Sequence, residues 1–163
     1  FIEKPKPGYI DGMMNDMGLR PGRKVETPTI KKKYDPNEDE EKVSKEDHSL
    51  YRKVVGKAQF IAPRRPESLY AIKERGRKLS DPNETDMKKL KHLVRYMHTT
   101  QDLAVHINIG EEVGELCSYG DTDWAGCPKT RKSTACCFVM WGNGRLSTTK
   151  IGGNKFVKAT NSY

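Results

Sequence analysis

Apolar residues in the first hundred positions recur at intervals of three and four, the spacing that places side chains on one face of an α-helix. Four such stripes occur, and each predicts one helix. They are Ile10, Met13, Met14 and Met17, then Leu50, Val54, Ala58 and Ile61, then Leu69, Ile72, Gly76 and Leu79, and finally Met87, Leu90, Val94 and Met97. Gly18 is predicted to cap the first helix and Asp47 to begin the second. Pro63, Pro66 and Pro82 should separate the later helices, because proline cannot continue a helix.

After Thr100 the apolar period changes from near 3.6 to 2, which predicts β-strands. The first strand is predicted over residues 103–109, and three others over 115–122, 133–141 and 145–150. The residues Gly142-Asn143-Gly144 predict a hairpin between the last two strands, because they tolerate positive φ. We therefore expect the C-terminal third to be an antiparallel meander, with residues 156–163 beginning a helix.

These patterns predict a mixed chain of the α+β or α/β class, in which a helical part precedes a sheet. We divide it into a short helix over residues 1–19, a charged flexible linker over 20–46, a helical segment over 47–102 and a β-rich domain over 103–163. The linker is rich in Pro, Lys and acidic residues, so it buries too little apolar surface to offset the entropy lost on ordering. Apolar residues make up only 34% of the chain, which also favours a partly loosely held structure.

The charge of the chain favours a polyanionic partner. Thirty Lys and Arg face 22 Asp and Glu, a formal net charge of +8, and most of the excess lies within residues 46–110. Apolar runs are too short to cross a bilayer, so no membrane partner is expected. The four cysteines lack CxxC spacing, which argues against zinc and disulfide sites and favours reduced thiols inside the cell, in the cytoplasm or nucleus. Phe1 is not an initiator Met, and we expect the chain to be a piece of a longer one.

Two compact motifs stand near the predicted sheet: Tyr119-Gly120-Asp121-Thr122-Asp123-Trp124-Ala125-Gly126 and Arg131-Lys132-Ser133-Thr134. They closely resemble the start of the ribonuclease H domain in copia-type retrotransposon Pol polyproteins. Landmarks upstream resemble the segment that joins the reverse transcriptase palm to ribonuclease H in that family. In order they are Gly18-Leu19, Thr27-Pro28, Tyr51-Arg52 with Gly56, Arg65-Pro66-Glu67, Leu79-Ser80-Asp81-Pro82 and Leu93-Val94-Arg95-Tyr96-Met97. The resemblance covers most of the chain.

The resemblance implies a helical connection segment followed by an incomplete ribonuclease H-like mixed sheet, with strand 115–122 at its centre. Intact family members reverse-transcribe RNA and hydrolyse the RNA strand of RNA/DNA hybrids, with two Mg²⁺ ions held by about four carboxylates. It assigns the first catalytic carboxylate and Mg²⁺ ligand to Asp121, and a second candidate metal ligand to Asp123. Capping of the following turn is the alternative role of Asp123. Trp124 is expected to be a buried packing anchor rather than a stacking platform.

The chain departs from the family beyond Asp123, because residues 124–163 contain no Asp or Glu. Neutral Thr160 and Ser162 stand where the family has acidic residues. The Asp-Asp pair of a polymerase palm is also missing from this sequence. We therefore expect the chain to be inactive alone in both reactions, with the remainder of the Pol polyprotein as one partner. An alternative is a nuclease that obtains its missing carboxylates from a partner chain.

Another alternative is a basic module without enzymatic activity that binds RNA/DNA hybrid or duplex nucleic acid. Its candidate phosphate contacts all lie in the helical segment, and they are Arg64, Arg65, Lys73, Arg77, Lys88, Lys91 and Arg95. The competing interpretation of these charges is a solvated helix face without a ligand.

Overall fold

The computed structural model describes residues 2–22, 24–30, 41–106, 116–127, 130–141 and 144–152. In chain order the elements are β1 (Ile2–Glu3), α1 (Tyr9–Asp16), α2 (Lys45–Ile61), α3 (Leu69–Gly76), α4 (Glu84–Thr99), β2 (Val105–His106), β3 (Leu116–Thr122), β4 (Thr134–Trp141) and β5 (Gly144–Gly152). Two 3₁₀ turns, Ala62–Arg64 and Pro66–Ser68, connect α2 to α3. Contacts divide the chain into a helical unit, Glu3–Val105, and a sheet unit built on β3, β4 and β5.

The helical unit has one core, to which all four predicted stripes contribute. Met13 of α1, Val54 of α2, Ile72 of α3 and Leu90 of α4 are among its buried side chains. Each such side chain contributes about 1.5–3 kcal/mol by leaving water, which outweighs the weak helix propensity of the β-branched residues among them. The four helices predicted from periodicity are therefore confirmed.

The C-terminal end of α1 confirms Gly18 as its cap. Gly18 adopts a left-handed φ of +60°, which a residue without Cβ reaches at little cost. This turn lets the Gly18 amide donate to the Asn15 carbonyl at 3.0 Å and the Leu19 amide donate to the Met14 carbonyl at 2.9 Å. The two bonds form a Schellman motif, which satisfies carbonyls that the helix leaves free.

The start of α2 corrects a prediction. The cap is Ser44, whose hydroxyl accepts a hydrogen bond from the Asp47 amide at 3.0 Å. Ser44 has an extended backbone, whereas Asp47 already lies in the first helical turn. Asp47 was therefore the wrong residue, although a negative charge there still favours the positive end of the helix. The next boundary also differs, because α3 ends at Gly76 and does not reach Leu79.

The three strands of the sheet unit form an antiparallel meander in the order β3-β4-β5, as predicted. Among the described strands β4 lies at the centre and β3 at the edge, whereas strand 115–122 was expected at the centre. In this register Asp121 of β3 lies opposite Cys136 of β4. Of the strand predicted over residues 103–109, Val105–His106 form β2, which pairs with β1 in a separate two-stranded sheet. Residues 103–104 are not in a strand, and residues 107–109 lie outside the described residues. Residues 142–143 of the predicted hairpin and the predicted helix at 156–163 lie outside the described residues. The mixed α+β class is confirmed.

Parts of the segment predicted to be a linker lie against α4. The Val25 amide donates to Thr99 Oγ1 at 3.4 Å, and the His92 ring Nε2 donates to the Thr27 carbonyl at 2.8 Å. At the other end of the helix, the Glu84 amide donates to the Glu41 carbonyl at 3.0 Å. None of the described helices combines the length and apolar character that crossing a lipid bilayer requires.

Candidate functional site

The N-terminus of α4 is held in place by a buried carboxylate. The Asn83 side chain accepts from the Asp86 amide at 2.7 Å, and the Asp86 carboxylate accepts from the Asn83 amide at 3.4 Å, which completes a capping box. The same carboxylate lies 3.2 Å from the Arg75 guanidinium and 3.7 Å from Lys78 Nζ. These contacts fix the first turn of α4 against the segment that contains α3.

The C-terminus of α4 is held by Arg65, whose side chain is 0% exposed. Its guanidinium donates to Glu67 Oε1 at 2.7 Å, to the Met97 carbonyl at 3.2 Å and to Thr100 Oγ1 at 2.5 Å. It also lies 5.9 Å from the centre of the Tyr96 ring, within cation–π range. The sequence placed Arg65 among the phosphate contacts. The structure instead commits its donors to the protein interior, so Arg65 is not exposed for a phosphate contact.

Between these two anchors, α4 presents Lys88, Lys91 and Arg95 on the side opposite to its buried stripe, which includes Leu90 and Met97. Spacings of three and four residues bring the three cations into line, and a rise of 1.5 Å per residue spreads them over roughly 10 Å. We call these three residues the α4 basic face. Lys88 and Arg95 are exposed and Lys91 is half-buried. Within the described part of the chain, none of the three forms an ion pair or a side-chain hydrogen bond.

The other predicted phosphate contacts already have acidic partners. Arg64 Nε lies 3.2 Å from Glu3, while Lys73 Nζ and an Arg77 guanidinium nitrogen lie 2.7 and 3.4 Å from Glu74. Burial tends to raise the pKa of Glu74, but Lys73 and Arg77 outweigh it and hold that pKa below its usual value. A phosphate would have to compete with these carboxylates. The structure therefore separates the α4 basic face from the rest of the predicted set.

Asp121 and Asp123 stand at the end of β3 in different environments. The Asp121 carboxylate is exposed and accepts a hydrogen bond from the Thr122 amide at 2.8 Å. The Asp123 carboxylate accepts from the Thr134 amide, and its own amide donates to the Thr134 carbonyl at 3.0 Å. It also lies so close to Gly126 that a Cβ there would collide with it. Asp123 thus closes the loop between β3 and β4.

The described residues do not fit a two-metal centre. Two Mg²⁺ ions need several oxygen ligands that converge on one point. In the ranges that the structure describes, no group of three or more His, Cys, Asp or Glu side chains is placed to hold a metal ion. One carboxylate oxygen of Asp123 also accepts a hydrogen bond from the Thr134 amide. Among the residues that the structure describes, Asp121 therefore has no companion carboxylates of the kind that the metal chemistry would require.

Trp124 corrects another expectation. It follows Asp123 in the loop, and it is 73% exposed rather than buried as a packing anchor. Sequence reasoning also missed the contacts that Val25 and Thr27 make with α4. Those contacts join residues far apart in the chain, and the periodicity of residues 24–30 contains no signal for them.

Comparison with known proteins gives relatives but no fold assignment, since no family model and no solved structure matches the chain. The chain is 29% identical over 157 residues to an uncharacterized mitochondrial protein of Arabidopsis thaliana, covering 91% of this chain and 62% of that protein. It is 31% identical over 101 residues to the retrovirus-related Pol polyprotein from transposon RE1 of the same plant, and equally to that from transposon RE2. Those matches cover 62% of this chain and 7% of each polyprotein. The resemblance to retrotransposon Pol polyproteins is thus confirmed, and the chain is related to those polyproteins.

Proposed function

We propose that this chain is a segment of a retrotransposon Pol polyprotein that binds the backbone of double-stranded nucleic acid, RNA/DNA hybrid included, without performing a chemical step by itself. The α4 basic face is the observation that carries the proposal. Its three cations have no acidic partner among the described residues, and the helix that presents them is anchored at both ends by Asp86 and Arg65. Binding to nucleic acid would agree with the expected location in the cytoplasm or nucleus, alongside the rest of the polyprotein.

The chemistry of the α4 basic face favours phosphates over bases. Lys88, Lys91 and Arg95 form no aromatic platform, and the nearby His92 ring is engaged by the Thr27 carbonyl. A row of cations along one helix can follow one strand of a duplex, where phosphates repeat about every 3.4 Å along the axis. Neutralising about three phosphates releases counterions and gives a slope near −2.7 for log K against log salt.

The test is fluorescence anisotropy with a labelled RNA/DNA hybrid at several salt concentrations. The triple variant Lys88→Gln, Lys91→Gln, Arg95→Gln should lose most of the affinity and flatten the salt slope. A matched control removes the same charge from the paired cations, as Arg64→Gln, Lys73→Gln, Arg77→Gln, and should change both quantities much less. Equal losses in the two variants would show that net charge alone drives binding and would refute this assignment.

The ribonuclease H activity implied by the motifs is proposed to need residues beyond those that this chain brings together. An antiparallel meander with Asp121 at the end of its first strand supports a ribonuclease H-like sheet. With no convergent acids among the described residues, we expect no Mg²⁺-dependent hydrolysis of a hybrid by the chain alone. Cleavage that disappears in Asp121→Asn would contradict this and assign Asp121 a catalytic role. Cleavage that persists in this variant would indicate a contaminating nuclease.

A further inference from the structure

The loop between β3 and β4 carries an indole ring exposed to solvent and, on its returning side, two exposed cations. We define the Trp124 loop as residues 123–127 and 130–134. Trp124 is 73% exposed, and Arg131 and Lys132 on the returning side of the loop are also exposed. Among the described residues, neither cation has an ion-pair or side-chain hydrogen-bond partner. This surface lies on the sheet unit, whereas the α4 basic face lies on the helical unit.

Hydrogen bonds hold the two sides of the Trp124 loop together. Beyond the double link between Asp123 and Thr134, the Ala125 amide donates to the buried Ser133 hydroxyl at 3.0 Å. Nearer the tip, the Cys127 amide donates to the Lys132 carbonyl at 3.2 Å. These bonds fix the backbone on either side of Trp124 and bring the segment bearing the cations beside it. Little conformational entropy of this backbone would therefore be lost when a ligand binds.

The chemistry of the Trp124 loop matches single-stranded nucleic acid. An exposed indole offers a flat face on which an unpaired base stacks, and neighbouring cations attract the phosphates on either side of that base. The one acidic side chain among the described residues of the loop, Asp123, is held by the Thr134 amide and sets one negative charge against the two cations. We propose that the Trp124 loop binds single-stranded nucleic acid, with one base stacked on Trp124 and adjacent phosphates at Arg131 and Lys132.

The experiment titrates the whole chain with oligothymidine and follows tryptophan fluorescence, which base stacking quenches. The chain has two tryptophans, so the variant Trp141→Phe leaves Trp124 as the single reporter. We expect quenching on binding, and Trp124→Ala should weaken binding of a labelled oligothymidine by about 5- to 150-fold. Trp124→Phe should retain part of the affinity. The double variant Arg131→Gln, Lys132→Gln should reduce the salt slope by about 1.4.

Two controls separate this proposal from its alternatives. Tyr119→Ala removes another exposed aromatic of the sheet unit, 60% exposed, and should leave oligothymidine binding unchanged. The triple Gln variant of the α4 basic face should still show quenching, so this proposal and the proposed duplex binding fail independently. Wild-type affinity in Trp124→Ala, or an equal loss in Tyr119→Ala, would overturn the assignment. The circular dichroism spectrum of Trp124→Ala should match that of the wild type, because the removed ring is exposed.

Discussion

Arg65→Ala should destabilise the helical unit far more than the same change at the adjacent Arg64. The Arg65 guanidinium is enclosed, and its removal leaves the Met97 carbonyl and the Thr100 hydroxyl without a charged donor. Hydrogen bonds to charged groups contribute roughly 1.5–3 kcal/mol each. The bond to Glu67 is weighted lower, at about 0–1 kcal/mol, because the Glu67 side chain is 32% exposed and water screens the pair. The expected loss is therefore about 3–7 kcal/mol.

The measurement is urea unfolding followed by helical circular dichroism, with the free energy of unfolding extrapolated to water. Arg64→Ala is the matched control, since it removes the same side chain from a half-exposed ion pair with Glu3 and should cost about 0–1 kcal/mol. Arg65→Lys keeps the charge but not the planar fork, so it should fall between the two alanine variants. If Arg65→Ala and Arg64→Ala differ by less than about 1 kcal/mol, the structural role assigned to Arg65 is wrong.

Other predictions concern the ends of α1 and α2. Asp16 accepts from Lys53 at 2.7 Å and from Lys57 at 2.5 Å, and these bonds, that from Lys53 first, hold the pKa of Asp16 below its usual value. A pKa lowered by folding adds stability above the unfolded value near 3.9 and loses it as the pH falls through the folded value. In unfolding experiments from neutral to acidic pH, the stability difference between wild type and Asp16→Asn should therefore shrink on acidification, and a constant difference would contradict the ion-pair role. Ser44→Ala should cost about 1 kcal/mol of the free energy of unfolding. Asp47→Ala should cost less, and the reverse order would restore Asp47 as the cap.

The sequence predicted the helices well because a single core orders them. An apolar stripe at helical spacing has one way to leave water here, which is to face the other three stripes, and so periodicity also identified the buried side of α4. The meander followed in the same way from alternation and turn residues. Ser44 and Asp47 are both good caps by residue type, however, and only the backbone conformation distinguishes them.

The candidate site was harder to predict because charge alone does not reveal partners. From the sequence, Arg65 is expected to be a surface cation. In the structure it binds the Met97 carbonyl and the Thr100 hydroxyl, which lie more than thirty positions away in the chain. Lys73 and Arg77 lie close to Glu74 in sequence, and a helical spacing of three could have indicated the pairing of Arg77. The exposure of Trp124 depends on how the loop closes, which local residue preferences do not determine.

The contact between Asp123 and Gly126 divides the motif at residues 121–126 into two kinds of residue. Asp123 ties the loop to Thr134, and Gly126 leaves room for the Asp123 carboxylate in the space that a Cβ would take. These two positions determine the shape of the loop, whereas Asp121 is the position that would carry out the reaction under the proposed ribonuclease H relationship. A diverged copy of the retrotransposon could therefore lose the proposed nuclease activity and still keep the Asp-Trp-Ala-Gly signature, because the loop still has to fold. In a survey of such copies, the presence of the signature would indicate a folded loop. An Asp two places before the signature would indicate a potential enzyme.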